Sequence, residues 1–234
     1  MKFAAVTGGL FAGVLTVTAG TLVGTVKAMP KPELQQAQGA AGGKYDSRKF
    51  KFVEKINYDE IKDFIVYIDQ PMTNSAPKQA IEAEVVTQKD AMFHPHVMPI
   101  LVGTKVKWPN KDDILHNVYS NSDAKTFDLG LYKDDDKNPK LEPIVFDKTG
   151  RVDVFCSIHS QMNCVLLVLQ NPYFAATDTK GHYKITGIPA GTYKVKAWHE
   201  RLPGQTLEVT IPAEGEVSIN FTVGVGNLSR AGRP

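Results

Sequence analysis

The sequence lacks several features that would point to other classes of protein. It has no excess of one charge, because 27 lysines and arginines oppose 25 aspartates and glutamates. A nearly neutral chain gives no electrostatic reason to expect binding to nucleic acid or to an anionic membrane surface. Past the N-terminus, no stretch sustains the apolar stripe of a long helix. We therefore expect neither a nucleic-acid-binding protein nor a helical bundle.

Histidine and cysteine are scarce, with six and two residues respectively. A trinuclear copper cluster needs many paired His-x-His motifs, and this chain has a single pair, His94 and His96. We expect these two to be exposed loop residues, with a surface metal site or an additional copper contact as the alternative. No nucleophile with a base, carboxylate dyad or phosphate-binding loop stands out. The sequence therefore predicts a protein that is not an enzyme.

The N-terminus has the pattern of an export signal. Lys2 precedes an uncharged run of small and apolar residues, and Val17-Thr18-Ala19 resembles a small-residue cleavage site. We expect residues 1–19 to be a signal peptide and the protein to be periplasmic. The alternative is a retained membrane anchor over residues 3–26, which is about long enough to span a bilayer.

Short alternating runs of apolar and polar residues predict an all-β protein. In residues 83–170, runs such as LHNVYS and CVLLVLQ are separated by Gly, Pro, Asn and Asp, a spacing typical of an antiparallel sandwich. In residues 171–224 the alternation is clearer, which indicates strands with one solvated face. We expect a second, smaller β domain there, followed by a flexible tail at 225–234.

A compact set of possible metal ligands lies in VDVFCSIHSQMNCVLLVL. Cys156, His159 and Met162 occupy a C-x2-H-x2-M loop between two predicted strands. Thiolate, imidazole and thioether ligands suit copper, and two histidines with one cysteine and a weak axial methionine form a blue-copper site. His116, in LHNVYS, offers the second imidazole from another strand end. The pattern predicts one mononuclear copper site.

Strand parity and the neighbours of the ligands agree with this prediction. Val152, Val154 and Cys156 share one face of a strand, so the thiol should point inward with the two valines. Asn117 and Ser157, each next to a ligand, are expected to hydrogen-bond and clamp the two ligand segments.

Each ligand also has a plainer interpretation. In an oxidising compartment Cys156 and Cys164 could form a disulfide, although Cys164 lies in an apolar run and is expected to be a buried thiol. His116 could be an ordinary strand-end histidine, and Met162 could simply fill the core. The coupling of all these residues in one pattern favours the metal site.

The stretch from 93 to 169 resembles the cupredoxins, particularly the amicyanin, pseudoazurin and plastocyanin types. The resemblance lies in VGTKVKWPN followed by LHNV, and in CSIHSQM, which is similar to the short amicyanin-like loop between Cys and Met. The resemblance implies a Greek-key β-sandwich with one type 1 copper. It assigns His116, Cys156 and His159 as strong ligands and Met162 as the axial ligand. It also implies a periplasmic one-electron carrier whose partner is a redox protein such as a c-type cytochrome or a dehydrogenase.

A second resemblance concerns TDTKGHYKITGIPAGTYKVKAWHE, which is similar to carboxypeptidase-regulatory-like (transthyretin-like) β-sandwiches. The combination of a cupredoxin-like and a regulatory-like domain in one chain resembles bacterial periplasmic proteins described as methylamine-utilisation-like or plastocyanin-like. Regulatory-like sandwiches usually begin with strands like TLVGTVKA and FIVYID, so the resemblance implies that 20–82 joins 171–224 around an inserted 83–170 domain. A simple succession, with 21–69 as extra strands of the first domain, is the alternative.

Two other functions remain open at this point. A copper storage or delivery protein could use the same ligands, but Met-rich clusters would favour it and the six methionines are scattered. A structural or adhesive β-sandwich protein without metal would have a disulfide between Cys156 and Cys164.

Overall fold

The computed structural model describes residues 19–30, 57–72, 83–133 and 142–224. Nearly all of the predicted signal peptide and all of the predicted tail at 225–234 lie outside these residues. Within them the chain forms strands and a single 3-10 helix, Tyr58–Glu60, so the predicted all-β class is confirmed. The strands are β1 Ala19–Met29, β2 Ile65–Ile68, β3 Glu84–Val85, β4 Thr87–Lys89, β5 Met92–His94, β6 Val97–Leu101, β7 Thr104–Lys107, β8 His116–Ser122, β9 Lys125–Tyr132, β10 Ile144–Phe146, β11 Gly150–Phe155, β12 Asn163–Leu169, β13 Phe174–Ala176, β14 His182–Pro189, β15 Gly191–Trp198, β16 Gln205–Ile211, β17 Glu216–Ser218 and β18 Phe221–Gly224.

The first sandwich consists of a five-stranded sheet, in the order β6-β12-β11-β8-β9, and a three-stranded sheet, β10-β7-β3. Its core collects inward-facing residues of both sheets, among them the fully buried Trp108, Val118, Phe146 and Leu166. Strand β11 pairs antiparallel with β12 on one side and with β8 on the other. The end of β11 therefore lies next to the start of β8.

The second sandwich has one sheet in the order β14-β1-β17, with β18 also on β1, and another in the order β13-β2-β15-β16. Its core includes Leu22 from β1 and Val66 from β2 beside Val195 and Phe221. Strands β1 and β2 thus complete sheets whose other strands come from residues 174–224. The strands of the first sandwich lie between these two parts in the sequence; the domain boundaries stay a prediction.

The two sandwiches pack against each other through β12. Its inward residues Cys164, Leu166 and Val168 enter the first core, whereas the alternate residues face the second sandwich. This face forms a separate buried apolar cluster of Ile65, Tyr67, Val97, Val165, Leu167 and Leu169. Strand β12 is therefore buried on both faces, which suits its nearly continuous apolar sequence.

Polar contacts complete this interface. The Arg151 guanidinium donates to the Glu200 carbonyl oxygen at 2.6 Å and lies over the Trp198 ring, 5.9 Å from its centroid. His96 Nε2 lies 3.0 Å from Glu200 Oε1. The loop after β15 is thereby tied to β11 and to the residue that precedes β6.

Among the described residues, no helix is long and apolar enough to cross a membrane.

Candidate metal centre

The predicted ligands gather at one end of the five-stranded sheet. His116 is the first residue of β8, and Cys156 comes directly after β11. Because these two strands are antiparallel neighbours, the start of β8 lies beside the end of β11. His159 and Met162 belong to the loop that leads from β11 into β12.

Three donor side chains form a tight cluster. The ligand atoms of His116, Cys156 and His159 all lie within 4.8 Å of one another. His116 Nδ1 is 3.0 Å from His159 Nδ1, which is 3.7 Å from Cys156 Sγ. His116 is fully buried, Cys156 is 5% exposed and His159 is half-buried. The cluster could hold one metal ion, and only the His159 side reaches solvent.

The ligand loop is closed by its own main chain. The Cys156 N–H donates to the Met162 carbonyl oxygen at 3.1 Å, and the Met162 N–H donates to the His159 carbonyl oxygen at 2.9 Å. Met162 is 1% exposed and belongs to the same core cluster as Cys156. The methionine is thus held at the base of the loop, buried beside the cysteine.

Asn117 connects the two segments that carry ligands. Its main-chain N–H donates to Cys156 Sγ at 3.4 Å, and its side-chain oxygen accepts from the Ser157 N–H at 3.3 Å. The side-chain nitrogen donates to Asp128 Oδ1 at 2.7 Å. Ser157 takes part through its main-chain N–H, and the residue itself is exposed to solvent. The N–H of Asn117 thus fixes the position of the sulfur relative to β8.

Asp112 is part of the centre, although sequence reasoning did not single it out. Its Oδ2 atom lies 2.8 Å from His116 Nε2. An ionised carboxylate can only accept a hydrogen bond, so this contact matches a hydrogen on His116 Nε2 and a free lone pair on Nδ1. The only sequence signal is an acidic residue four positions before the histidine, in a loop, which by itself is too common to interpret.

Both cysteines are free and buried, so the disulfide between Cys156 and Cys164 is not formed. Cys164 pairs across the strands with Val154 and points into the core. Burial raises the pKa of the Cys164 thiol well above its ordinary value, and Asp153 and Glu200 add to the shift. Cys164 therefore stays a protonated core residue.

His94 and His96 do not form a metal site with other described residues. His94 is exposed at the end of β5. His96 instead contacts Glu200 Oε1 through Nε2 and the Asn163 carbonyl oxygen through Nδ1, at 3.0 and 3.1 Å. His96 therefore forms part of the contact between the two sandwiches.

Comparison with protein families gives one match, to a model described as polysaccharide lyase family 4, domain II, over residues 153–219. The match begins in β11 of the first sandwich, runs through most of the second and covers well under half of the chain. It is not specific to regulatory-like sandwiches. No curated protein matches the chain.

Solved structures with some similarity are copper proteins of low identity. A purple cupredoxin from Nitrosopumilus maritimus is 23% identical, covers 38% of this chain and 100% of its own, with a TM-score of 0.31. The Cu(I) form of an amicyanin mutant is 20% identical, covering 44% of this chain and 98% of its own, with a TM-score of 0.32. The copper-containing nitrite reductase from Thermus scotoductus SA-01 is 23% identical over 43% of this chain and 25% of its own, with a TM-score of 0.35. Similarity at this level transfers no function to the present chain.

Proposed function

We propose that the chain is an exported type 1 copper protein that carries single electrons between redox partners and has no enzymatic turnover of its own. One observation supports this most directly: a buried cysteine sulfur and two imidazole nitrogens lie within 4.8 Å of one another at one end of the five-stranded sheet. Bound copper would supply the one-electron couple.

The donor set fits copper. His116, Cys156 and His159 offer two imidazoles and a sulfur without any carboxylate oxygen in the cluster. Hard cations such as Ca²⁺ and Mg²⁺ prefer oxygen, whereas thiolate and imidazole suit copper and zinc. Met162, buried in the same core cluster as Cys156, could supply a weak thioether ligand. We infer that these four residues hold the metal.

The surroundings keep the ligands in place. Asn117 links β8 to the loop after β11, and the loop is closed by hydrogen bonds between Cys156, His159 and Met162. Side chains fixed in this way move little when the charge of a bound metal changes. A small structural change is what rapid electron transfer requires, because less reorganisation accompanies each transfer.

His159 is the ligand nearest to solvent, and apolar side chains lie next to the ligand segments. Leu115 precedes His116, Ile158 precedes His159 and Leu131 is paired across the strands with Asn117. These side chains are 45%, 51% and 47% exposed. We propose that a periplasmic redox protein, such as a c-type cytochrome or a dehydrogenase, approaches here.

The colour of the copper-loaded protein tests the proposed site. We expect the wild type to be intensely blue or green from a thiolate-to-copper transition, and Cys156→Ser to lose this colour. Cys164→Ser is the matched control, because it removes the other buried thiol and should leave the colour intact. The measurement is a visible and electron paramagnetic resonance spectrum. A colourless wild-type protein that contains one equivalent of copper would contradict the proposal.

A kinetic measurement separates electron transfer from copper storage or delivery. Reduced protein mixed with oxidised cytochrome c in a stopped-flow instrument should pass one electron per copper while the metal stays bound. Rapid loss of copper to a chelator, together with no electron transfer, would favour storage or delivery. Complete burial of His116 argues for slow release.

A further inference from the structure

The Asp112 carboxylate accepts three hydrogen bonds from two different parts of the chain. Its Oδ1 atom accepts from the Asp90 N–H at 2.7 Å, and its Oδ2 atom accepts from the Ala91 N–H at 2.9 Å. The third partner is His116 Nε2, at 2.8 Å from Oδ2. Three donors thus converge on two oxygens of one side chain.

The two main-chain donors come from an unusual turn. Asp90 and Ala91 lie between β4 and β5 with φ angles of 56° and 54°. Residues other than glycine rarely adopt this left-handed conformation, and ordinarily at a cost in energy. Here it directs two consecutive N–H groups at the same carboxylate.

The loop that carries Asp112 is anchored from the opposite side. The Asn110 side chain accepts from the Asp112 N–H at 2.9 Å and donates to the carbonyl oxygens of Ile114 and Tyr132, at 2.9 and 3.1 Å. Asn110 is 2% exposed. The Asp112 side chain is 15% exposed and is therefore held between the β4–β5 turn and the buried histidine.

We propose that Asp112 is a positioning residue of the metal centre, which holds His116 as its Nε2–H tautomer and strengthens Nδ1 as a ligand of Cu(II). This inference rests on the proposed function as far as copper is concerned. The orientation of the His116 ring and its tautomer belong to the protein itself.

A carboxylate does more here than a neutral acceptor would. Its negative charge shifts electron density in the hydrogen-bonded imidazole toward Nδ1, which stabilises Cu(II) more than Cu(I). The carboxylate is the form whose two oxygens can accept all three hydrogen bonds, from the Asp90 N–H, the Ala91 N–H and His116 Nε2. Asp112 should therefore increase Cu(II) affinity and lower the reduction potential.

Asparagine is the informative replacement at this position. An amide has one acceptor oxygen, and its NH₂ group would face either the Asp90 N–H or the pair formed by Ala91 N–H and His116 Nε2–H. The first orientation sets the NH₂ group against one N–H donor, and the second sets it against two. Asp113→Asn is the matched control, because Asp113 is adjacent and exposed, carries the same charge and takes no part in these hydrogen bonds.

The first test uses the metal-free wild-type protein. Long-range ¹⁵N–¹H NMR correlations report which nitrogen of His116 carries the proton. We expect the Nε2–H tautomer in the wild type and in Asp113→Asn. An Nδ1–H tautomer in the wild type would overturn the inference, and this result does not depend on copper or on whether any variant at Asp112 folds.

The second test uses the copper-loaded protein. We expect Asp112→Asn to weaken Cu(II) affinity about 10- to 100-fold, the usual effect of losing the hydrogen-bond partner of a ligand histidine. Each tenfold loss that Cu(I) does not share raises a one-electron potential by about 59 mV. Asp113→Asn should stay close to the wild type in both quantities.

The outcomes separate the two proposals. A wild-type protein without the thiolate-to-copper band would contradict the proposed function, while the NMR result would still decide the tautomer. A coloured wild type with Asp112→Asn unchanged in affinity and potential would overturn the role of Asp112 alone. The same would follow if Asp113→Asn changed both quantities as much as Asp112→Asn does, because the effect would then be one of charge and not of the hydrogen bond.

Discussion

At the scale of single residues, the centre depends on polar groups that touch the ligands. Asp112 holds the outer nitrogen of His116, and the Asn117 N–H is directed at Cys156 Sγ. Asn117 is 3% exposed, and its side chain joins the two ligand segments through the Ser157 N–H. Such residues decide how precisely the ligands are held, because the ligand side chains alone could turn about their own bonds.

Replacing Asn117 with alanine should loosen the centre. The variant loses the hydrogen bond to Ser157 and the one to Asp128, and we expect a loss of about 1–2 kcal/mol in the free energy of unfolding. Urea titration of the metal-free protein measures this loss, and the spectrum of the copper-loaded protein should broaden or shift. Asn121→Ala, at an exposed position of the same strand, should change stability by less than about 0.5 kcal/mol. Equal effects of the two variants would show that Asn117 has no special role.

At the scale of elements, strand parity explains the placement of the ligands. Val152, Val154 and Cys156 are all buried, as the alternation along this stretch predicts. The antiparallel pairing of β8 with β11 then places His116 beside the cysteine. In the second sandwich, β1 is the strand that holds its sheet together, because it pairs with β14, β17 and β18.

Leu22 should be critical for the second sandwich. Its side chain is fully buried in the core formed with strands from the C-terminal part of the chain. Leu22→Ala should cost about 2–5 kcal/mol, a large fraction of the stability of an ordinary domain. Chemical denaturation followed by circular dichroism measures the loss, and Lys27→Ala on the exposed side of β1 is the control. An unchanged midpoint for Leu22→Ala would contradict the packing described for β1.

At the scale of the whole molecule, the two sandwiches share an interface that is apolar at its centre and polar at its edge. The apolar cluster of β2, β6 and β12 lies between them, and the His96–Glu200 pair and Arg151 tie the loop after β15 to the first sandwich. His96 also contacts the carbonyl oxygen of Asn163, the residue after Met162. The second sandwich therefore adjoins the base of the ligand loop.

The His96–Glu200 pair should make stability depend on pH. The hydrogen bond to Glu200 raises the pKa of His96 above its ordinary value, although burial opposes this shift. Burial would raise the pKa of Glu200, but the interaction with His96 lowers it. A raised histidine pKa contributes stability that is complete below the unfolded-state value and is lost as pH rises through the folded-state value. The contribution of His96 is therefore complete near pH 5.5 and declines as the pH rises through the raised folded-state pKa, so it is smaller near pH 8.5.

The test compares the wild type with Glu200→Gln at these two pH values. We expect the melting temperature of the wild type to exceed that of the variant by more at pH 5.5 than at pH 8.5. Glu214→Gln, at an exposed position of the second sandwich, should show no such pH dependence. A difference that grows with pH would contradict the assigned pairing.

Much of this could be predicted from the sequence, for local reasons. The period of two along Val152, Val154 and Cys156 depends only on the geometry of a strand. The chemistry of a C-x2-H-x2-M loop depends only on its residue types. The all-β class follows from short alternating runs, and burial of Cys164 agrees with the apolar run in which it lies.

What the tertiary structure alone decided involves residues far apart in the chain. The run CVLLVLQ predicts a strand, but its burial on both faces arises because a second sandwich covers the outer face of β12. The link between Asp112 and His116 likewise depends on the β4–β5 turn, whose N–H groups hold the carboxylate from about twenty residues away. A strand's periodicity and a loop's ligand types are local properties of the sequence, whereas these contacts exist only once distant segments have paired and packed.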